Sequence, residues 1–389
     1  MDQEYNAIIL GAGAAGLMCA IEAGKRGRRV LLLERADRIG KKILISGGGR
    51  CNFTNLHTGP DNFISANPHF AKSALARYHP DAFLRLVEKH RIPHHEKKLG
   101  QLFCDRSAND IVAMLEEECR AAGVEVRMNA KITDVRKAER FTLRTEDAAF
   151  TAPNVVVATG GLSIEKIGAT PFGYTLARQF GLNIQPMRPA LVPLLFSASD
   201  RKRWCDLAGV STEVVASTSS GKESFQEKVL FTHRGISGPA ILQISSYWNG
   251  EESISIDLAP NIDLIALLHA QSHRDQSTWK SLLREILPRR LADRWFELFP
   301  PAGNSDRAFA EAERQLHAWK VRPEGTEGYG KAEVTAGGVD TDELSPRTLE
   351  SRKVPGLFLI GEVVDVTGQL GGFNFQWAWA SGVCAGQAV

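Results

Sequence analysis

The sequence of 389 residues predicts an α/β fold in which a parallel sheet begins near the N-terminus, is interrupted by an inserted domain and is completed near the C-terminus. Three observations carry this prediction. A strand–helix–strand pattern fills the first 35 residues. Apolar runs that end in glycine recur far apart, as "NVVVATGG" and "GLFLIGE". Between about 188 and 326 the pattern changes to short alternating strands followed by helices.

The first strand–helix–strand unit contains the motif "GAGAAG", which places Gly11, Gly13 and Gly16 in G-x-G-x-x-G register. Gly11 permits a tight turn, Gly13 lets the backbone approach a pyrophosphate, and Gly16 permits close packing of helix on strand. Glu34 ends the next strand, where its carboxylate can bind a ribose diol. The motif therefore predicts a dinucleotide site for an unphosphorylated adenosine ribose, as in NAD or FAD, without separating these two.

The remaining elements follow from hydrophobic periodicity. Helices are predicted over 73–91 and 108–122, and two or three strands of a meander over 124–147. The domains are predicted as a nucleotide-binding domain, 1–187 and 327–389, and an inserted domain, 188–326, with a β-barrel part at about 188–260 and a helical part at about 261–326. In the insert, helices are predicted over 262–273, 279–287, 291–298 and 307–319. A last helix, 371–389, opens with "GGFN".

Composition is that of an ordinary globular protein, with 43% hydrophobic and 24% charged residues and a net charge of +2. So small a net charge argues against nucleic acid or an anionic membrane as partner, although it leaves room for a local basic patch. No apolar run reaches the ~18 residues of a membrane-spanning helix, and no secretory signal is evident. We therefore expect a cytoplasmic protein.

Other motifs give mainly negative predictions. The six cysteines form no C-x-x-C pair, so neither a zinc site nor a redox dithiol is expected, and Cys51 has no resolving partner near it in sequence. Adjacent His94 and His95 lack the spacing of metal ligands, so no metal site is predicted. "GISG" resembles a serine-hydrolase elbow but fails at its last position, where Pro239 stands.

Four longer segments together carry a resemblance: "GKKILISGGGRCNFTN", "FTHRGISGPAILQISSYW", "EVTAGGV" and "GEVVDVTGQLGGFNFQWAWASG". With the glycine fingerprint they resemble a bacterial NAD(P)/FAD-dependent oxidoreductase family of the two-dinucleotide-domain flavoproteins, which is aminoacetone-oxidase-like or bile-acid-reductase-like. The resemblance implies FAD, a Rossmann-like, glutathione-reductase-like FAD domain built from both ends of the chain, and an inserted β-barrel plus α-helical unit. In these flavoproteins an aspartate after the late glycine holds the ribityl chain. Here Glu362 stands at that position, and Glu362 and Asp365 both remain candidates.

The candidate cofactor-binding residues follow from the fingerprint and from this resemblance. They are Gly11, Gly13, Ala14, Ala15, Gly16, Glu34, Arg35, Lys42, Ser46, Gly47, Gly48, Gly49, Arg50, Cys51, Asn52, Ala158, Thr159, Gly160, Gly161, Gly361, Glu362, Asp365, Gly371, Gly372, Phe373 and Asn374. The three glycines of "SGGGR" let backbone lie against the cofactor, and Arg50 can balance phosphate or reduced-flavin charge. The resemblance places the loop of His233 and Arg234 opposite the flavin, where an imidazole can move protons, and these two are the catalytic candidates.

These residues predict an FAD-dependent oxidoreductase that transfers a hydride to or from a small organic substrate held between the flavin and the inserted domain. Since there is one G-x-G-x-x-G motif, NADH or NADPH is a candidate reductant only as a transient co-substrate. The alternatives are an amine oxidase that uses dioxygen, a flavoprotein that acts on RNA, and a non-catalytic flavin-bound regulator. We expect no nucleic acid and no membrane as partner, and the oligomeric state is left open.

Overall fold

The structure is a computed structural model that describes residues 3–389. Its contacts divide the chain into two compact units. The first unit takes the chain through Arg188 together with Val334–Val389, and the second takes Pro189–Glu333. Each unit is described by itself below.

The elements are numbered in chain order. The helices are α1 (Ala14–Lys25), α2 (Lys41–Ile45), α3 (Lys72–Arg77), α4 (Pro80–Lys89), α5 (Ala108–Ala121), α6 (Phe172–Gln179), α7 (Ala198–Trp204), α8 (Pro239–Ser245), α9 (Leu264–His269), α10 (Gln276–Ile286), α11 (Arg289–Leu298), α12 (Asp306–His317) and α13 (Phe373–Gly386). None of these helices of residues 3–389 combines the length and the apolar character needed to cross a bilayer.

The strands are β1 (Gln3–Glu4), β2 (Ala7–Leu10), β3 (Val30–Leu33), β4 (Asn52–Asn55), β5 (Phe63–Ile64), β6 (His94–Glu96), β7 (Gln101–Cys104), β8 (Glu125–Arg127), β9 (Ile132–Lys137), β10 (Phe141–Thr145), β11 (Ala149–Ala152), β12 (Asn154–Val157), β13 (Ile184–Ala190), β14 (Leu194–Leu195), β15 (Ser211–Ser217), β16 (Ser224–Phe231), β17 (Gly235–Ser237), β18 (Ile254–Asp257), β19 (Trp319–Val321), β20 (Gly325–Thr326), β21 (Val334–Val339), β22 (Leu357–Leu359) and β23 (Thr367–Gly368).

The first unit is built on a five-stranded parallel sheet in the order β22-β12-β2-β3-β8. The residues of β2, β3 and β22 are buried throughout, as expected for strands covered on both faces. Since β22 comes from late in the chain and β2 from its start, both ends of the chain build one sheet. The predicted α/β domain, with a parallel sheet built from early and late segments of the chain, is confirmed.

Two local predictions in this unit were wrong. The helix predicted over 73–91 is two helices, α3 and α4, because Pro80 lacks an amide hydrogen and drives the preceding His79 to an extended conformation (ψ 156°). The first strand of the predicted meander, β8, instead pairs in parallel with β3 and extends the central sheet. Only β9, β10 and β11 form the antiparallel meander.

The C-terminal helix α13 packs directly on α1 through two glycines. A Cβ at Gly382 would lie 2.5 Å from the carbonyl oxygen of Ala15, and one at Gly386 would lie 2.6 Å from that of Cys19. Any larger side chain would therefore push the helices apart. The two contacts place the C-terminal half of α13 along the first half of α1, with the two helices running in the same direction.

The second unit combines a seven-stranded sheet with helices. Its order is β19-β18-β15-β16-β17-β14-β20, and its pairings are antiparallel. Buried aromatic rings fill its core, with the centroids of Trp204 and Trp319 4.8 Å apart. The four predicted helices are confirmed as α9 to α12, although Trp319 belongs to β19 rather than to the last of them.

Candidate functional site

The three fingerprint glycines meet three different surroundings. A Cβ at Gly11, whose φ is +106°, would lie 2.5 Å from the carbonyl oxygen of Ala158, and one at Gly16 would lie 1.9 Å from that of Gly11. A Cβ at Gly13 would meet no protein atom within 4 Å. Gly11 and Gly16 are thus required by the fold, whereas Gly13 keeps a space clear at the N-terminus of α1, as a pyrophosphate needs. Ala14 and Ala15 are the first residues of that helix.

Glu34 follows β3 and is fixed across the glycine turn. Its Oε2 accepts a hydrogen bond from the amide of Ala12 (2.7 Å), and its Oε1 accepts one from the amide of Ala36 (2.7 Å). Each carboxylate oxygen has a further lone pair for a ligand hydroxyl. The neighbouring Arg35 is exposed.

The late glycine turn places Glu362 at the same edge of the parallel sheet. Its Oε2 accepts a hydrogen bond from Lys42 Nζ (2.6 Å), and its Oε1 accepts one from the amide of Thr335 (3.0 Å). A Cβ at Gly161 would lie 2.6 Å from Glu362 Oε1, so this glycine makes room for the carboxylate. Thr335 is a site residue that sequence reasoning missed, although it lies in the motif "EVTAGGV".

Asp365 occupies a different environment. It is buried, its Oδ2 accepts a hydrogen bond from the amide of Ala66 (2.8 Å), and burial raises the pKa of its carboxyl. Glu362 directly follows Gly361 at the carboxyl end of β22, where ligands of open parallel sheets bind. Of the two candidates, Glu362 is therefore the better placed for a ribityl chain.

The segment "SGGGRC" forms a short 3-10 turn over Ser46–Gly49 with left-handed glycines. A Cβ at Gly47 (φ +57°) would lie 2.8 Å from Cε1 of Phe103, so the turn lies directly on that ring. Cys51 is buried, and burial raises the pKa of its thiol well above its usual range. Since the thiolate is the reactive form, Cys51 is a packing residue rather than a nucleophile in this structure. Arg50 is exposed.

The "GGFN" turn holds the start of α13 against β4. A Cβ at Gly372 would lie 2.4 Å from the carbonyl oxygen of Thr54, and the carbonyl oxygen of Gly371 accepts a hydrogen bond from Asn55 Nδ2 (2.9 Å). Asn374 is engaged within its own turn, where its amide both accepts from and donates to the backbone of Gly368 (2.8 Å each). What this turn can offer a cofactor is therefore backbone N–H groups at a helix N-terminus.

The remaining cofactor candidates lie near these groups. Asn52 begins β4, Phe373 is buried at the start of α13, and Ala158, Thr159 and Gly160 follow β12. The buried hydroxyl of Thr159 has no hydrogen-bond partner among residues 3–389. The carboxyl ends of β2, β3, β12 and β22 meet at one edge of the sheet, so the residues after each of them come together there.

This arrangement fits FAD. Open space at Gly13 suits a pyrophosphate, the anchored carboxylate of Glu34 suits a ribose diol, and Glu362 with Lys42 suits the hydroxyls of a ribityl chain.

The catalytic candidates lie in the second unit. His233 and Arg234 are exposed between β16 and β17, and Arg234 Nη1 lies 3.8 Å from Glu327 Oε2. Ser237 ends β17, Gly238 forms the turn and Pro239 begins α8, so the segment is a strand–turn–helix, but Pro239 stands where a hydrolase elbow has its second glycine. His94 and His95 lie in β6, where they contact Phe53 and Phe103 respectively.

The HI0933-like protein Rossmann domain matches residues 5–388. The chain belongs to this family. The HI0933-like chain is 51% identical over 387 residues to the "ribosomal RNA dihydrouridine synthase" of Escherichia coli, covering 97% of this chain and 96% of that protein. It is 46% identical over 395 residues to the protein of the same name from Haemophilus influenzae, covering 98% and 97%.

A more distant HI0933-like relative is the "3-dehydro-bile acid delta(4,6)-reductase" of Clostridium scindens, 32% identical over 405 residues and covering 98% of each chain. Among solved structures, a 3-ketosteroid-delta4-(5alpha)-dehydrogenase from Rhodococcus jostii matches with a TM-score of 0.50 and 15% identity, covering 99% of this chain and 97% of that one. This last likeness shows the fold alone.

These findings confirm the predicted flavoprotein family and the Rossmann-like FAD domain, and the HI0933-like chain is an enzyme, an FAD-dependent oxidoreductase. They correct one prediction. The expectation of no nucleic acid partner was wrong, because the relatives at 51% and 46% identity are named for an activity on ribosomal RNA. The error arose because a net charge of +2 averages over the whole chain and says nothing of where basic side chains cluster.

Proposed function

We propose that this chain reduces uridine to dihydrouridine in ribosomal RNA. The observation that carries the proposal is the 51% identity to the Escherichia coli enzyme over 97% of this chain. The match covers 97% of this chain and therefore spans both units. The proposal replaces the small organic substrate of the sequence-based prediction, and it places the enzyme in the cytoplasm, where ribosomes are made.

The names of the relatives support a common reaction class. Dihydrouridine differs from uridine by two hydrogens across the C5–C6 double bond, which is conjugated to the C4 carbonyl. A reductase of a 3-dehydro bile acid with double bonds at positions 4 and 6 also reduces carbon–carbon bonds conjugated to a carbonyl. In uridine, a hydride would add to C6, the carbon β to the C4 carbonyl, and a proton would add to C5, the α carbon.

The first unit supplies the cofactor site. FAD, when bound and reduced, would supply the hydride. Glu34 would hold the adenosine ribose, the backbone around Gly13 the pyrophosphate, and Glu362 the ribityl chain. The N-terminus of α13 would favour negative charge on the reduced ring.

His233 and Arg234 remain the candidates for proton supply and substrate orientation. Both are exposed, and the guanidinium of Arg234 forms an ion pair with the carboxylate of Glu327 at 3.8 Å. NADH or NADPH is the proposed source of electrons. It would bind transiently, because the chain has a single G-x-G-x-x-G motif.

A second candidate is reduction of a small conjugated ketone, which the 32% identity to the bile-acid reductase favours. No relative named above is an amine oxidase, so that alternative has no support here. The two candidates differ in substrate and share the flavin chemistry.

The test uses the whole protein with FAD. An Escherichia coli strain that lacks its own relative would be complemented with this chain, and its ribosomal RNA would be digested to nucleosides for mass spectrometry. We expect dihydrouridine to reappear with the wild type but not with Gly13→Val. Absence of dihydrouridine with a well-expressed, FAD-loaded wild type, together with reduction of 3-dehydro bile acids, would favour the second candidate.

A further inference from the structure

A hollow on the first unit lies at the triple-glycine turn, and three of its lining residues, Gly47, Gly48 and Arg50, are also cofactor candidates from the sequence. It has a volume of about 310 Å³. Its lining residues come from two places, the turn before β4 and the hairpin formed by β6 and β7. They are Gly47, Gly48, Arg50, His95, Lys97 and Phe103. We call this the Arg50–Lys97 hollow.

The hollow has an excess of positive charge. Arg50 and Lys97 are exposed, and neither has an ion-pair partner among residues 3–389. None of the lining residues is acidic. A nearby carboxylate, that of Asp105, engages His95, with its Oδ1 2.6 Å from His95 Nδ1. Two cations without a carboxylate partner, set around one cavity, favour an anionic ligand.

The hollow is held in place by Phe103. The ring of His95 stacks on that of Phe103 with centroids 6.1 Å apart and an interplanar angle of 16°. Lys97 Nζ lies 5.3 Å from the centre of the same ring, within the range of a cation–π contact. Gly47 approaches the ring so closely that a Cβ there would lie 2.8 Å from it. Phe103 thus places His95 and Lys97 beside the glycine turn that we propose runs along the cofactor.

We propose that the Arg50–Lys97 hollow binds a backbone phosphate of the RNA substrate close to the nucleotide that is reduced. This inference rests on the proposed function above. Phosphate contacts of this kind position an RNA without reading its sequence. They also supply much of the affinity, so a chain with a net charge of +2 can bind RNA through a local concentration of charge.

A nicotinamide dinucleotide also carries phosphates, but the hollow suits it less well. At about 310 Å³ the volume lies at the lower end for pockets that enclose a drug-sized ligand. The volume therefore fits a phosphate with its adjoining sugar rather than two nucleotides. The hollow also lacks an acidic side chain for a ribose diol. An open, basic hollow is the arrangement expected where a longer strand passes over the surface.

The test compares Lys97→Ala and Lys97→Glu with a matched pair, Lys137→Ala and Lys137→Glu. Lys137 lies on β9 with its Nζ 4.6 Å from the ring centre of Phe141, so the control removes the same charge and the same type of ring contact elsewhere on the unit. Each FAD-loaded protein would be titrated with in vitro transcripts of ribosomal RNA over a range of salt concentrations, and the FAD content would be measured alongside.

Each phosphate contact adds about 0.7 to 0.9 to the slope of log affinity against log salt, which corresponds to about fivefold to eightfold in affinity at about 0.1 M salt. We expect Lys97→Ala to weaken RNA binding about fivefold to eightfold and to reduce the steepness of the salt dependence by about 0.7 to 0.9, the contribution of one phosphate contact. Lys97→Glu should bind RNA more weakly than Lys97→Ala. FAD content should stay at the wild-type level, and the Lys137 variants should bind RNA like the wild type.

The outcomes separate the two proposals. A wild type that forms no dihydrouridine in ribosomal RNA would refute the proposed function, and the role of the hollow in substrate binding would fall with it. A wild type that forms dihydrouridine, with Lys97→Glu retaining normal affinity and salt slope, would overturn the hollow alone. A raised KM for NADPH with unchanged RNA affinity would also overturn it and assign the hollow to the nicotinamide nucleotide.

Discussion

Glu118 gives the sharpest stability prediction, because one buried carboxylate joins three helices. Its side chain is 4% exposed on α5 and lies 2.7 Å from Lys25 Nζ of α1, 2.5 Å from Lys89 Nζ of α4 and 2.8 Å from the Nε2 of His90, the residue after α4. These three partners outweigh the desolvation of the carboxylate and lower its pKa from 4.5 to about 2. Glu118→Gln removes the charge that they share.

The magnitude follows from linkage. A pKa lowered in the folded state stabilises the protein fully above the unfolded value of 4.5, and that stabilisation is lost as the pH falls toward 2. The full shift corresponds to about 3 kcal/mol. Because water screens the exposed lysine ammonium groups, we expect Glu118→Gln to lower the free energy of unfolding by about 1 to 3 kcal/mol at neutral pH.

The assay is urea unfolding followed by circular dichroism at several pH values. At pH 3.5 the linkage contribution has already fallen by about 1.4 kcal/mol, so the difference between wild type and Glu118→Gln should shrink toward acid pH. Glu117→Gln is the matched control, since Glu117 is 66% exposed and its Oε2 lies 3.4 Å from the Nδ1 of His90. A difference for Glu118→Gln that stays constant down to pH 3.5 would refute the reasoning.

Three predictions concern the site. Gly13→Val should fold, since a Cβ there meets no protein atom, but the protein should purify without the flavin absorbance near 450 nm. Gly16→Val should lose its fold, because its Cβ would overlap the carbonyl oxygen of Gly11. A yellow Gly13→Val protein would count against the pyrophosphate assignment. Glu362→Gln should lower FAD affinity more than Asp365→Asn, measured by fluorescence titration of the apoprotein, and the reverse order would transfer the ribityl contact to Asp365. His233→Ala should keep FAD content and slow dihydrouridine formation about 10²-fold or more, and turnover equal to wild type would leave His233 without a catalytic role.

The sequence predicted those parts of the site in which local chemistry demands one residue type. The glycine fingerprint and Glu34 were readable because a tight turn, a clear space and a ribose acid each restrict the residue allowed. Contacts between distant segments were not readable. The bond from Lys42 to Glu362 and that from Thr335 to Glu362 join residues that only the fold brings together.

The partner prediction failed for a related reason. Lys97 and Arg50 lie far apart in the sequence, so no basic run marks the hollow that they share. The two wrong secondary-structure predictions came from competing local and tertiary effects. Pro80 ended a helix that periodicity alone continued, and β8 was drawn into the central sheet by pairing with β3.

The packing of α13 on α1 affects the order in which the two units can fold during synthesis. The strand β22 and the helix α13 follow the second unit in the chain, yet the central sheet of the first unit and the packing on α1 depend on both. The nascent chain can therefore complete the second unit, Pro189–Glu333, before the first unit has β22. Flavin binding then has to wait for α13, and a chain interrupted before α13 would leave the apolar surface of α1 exposed to chaperones and proteases.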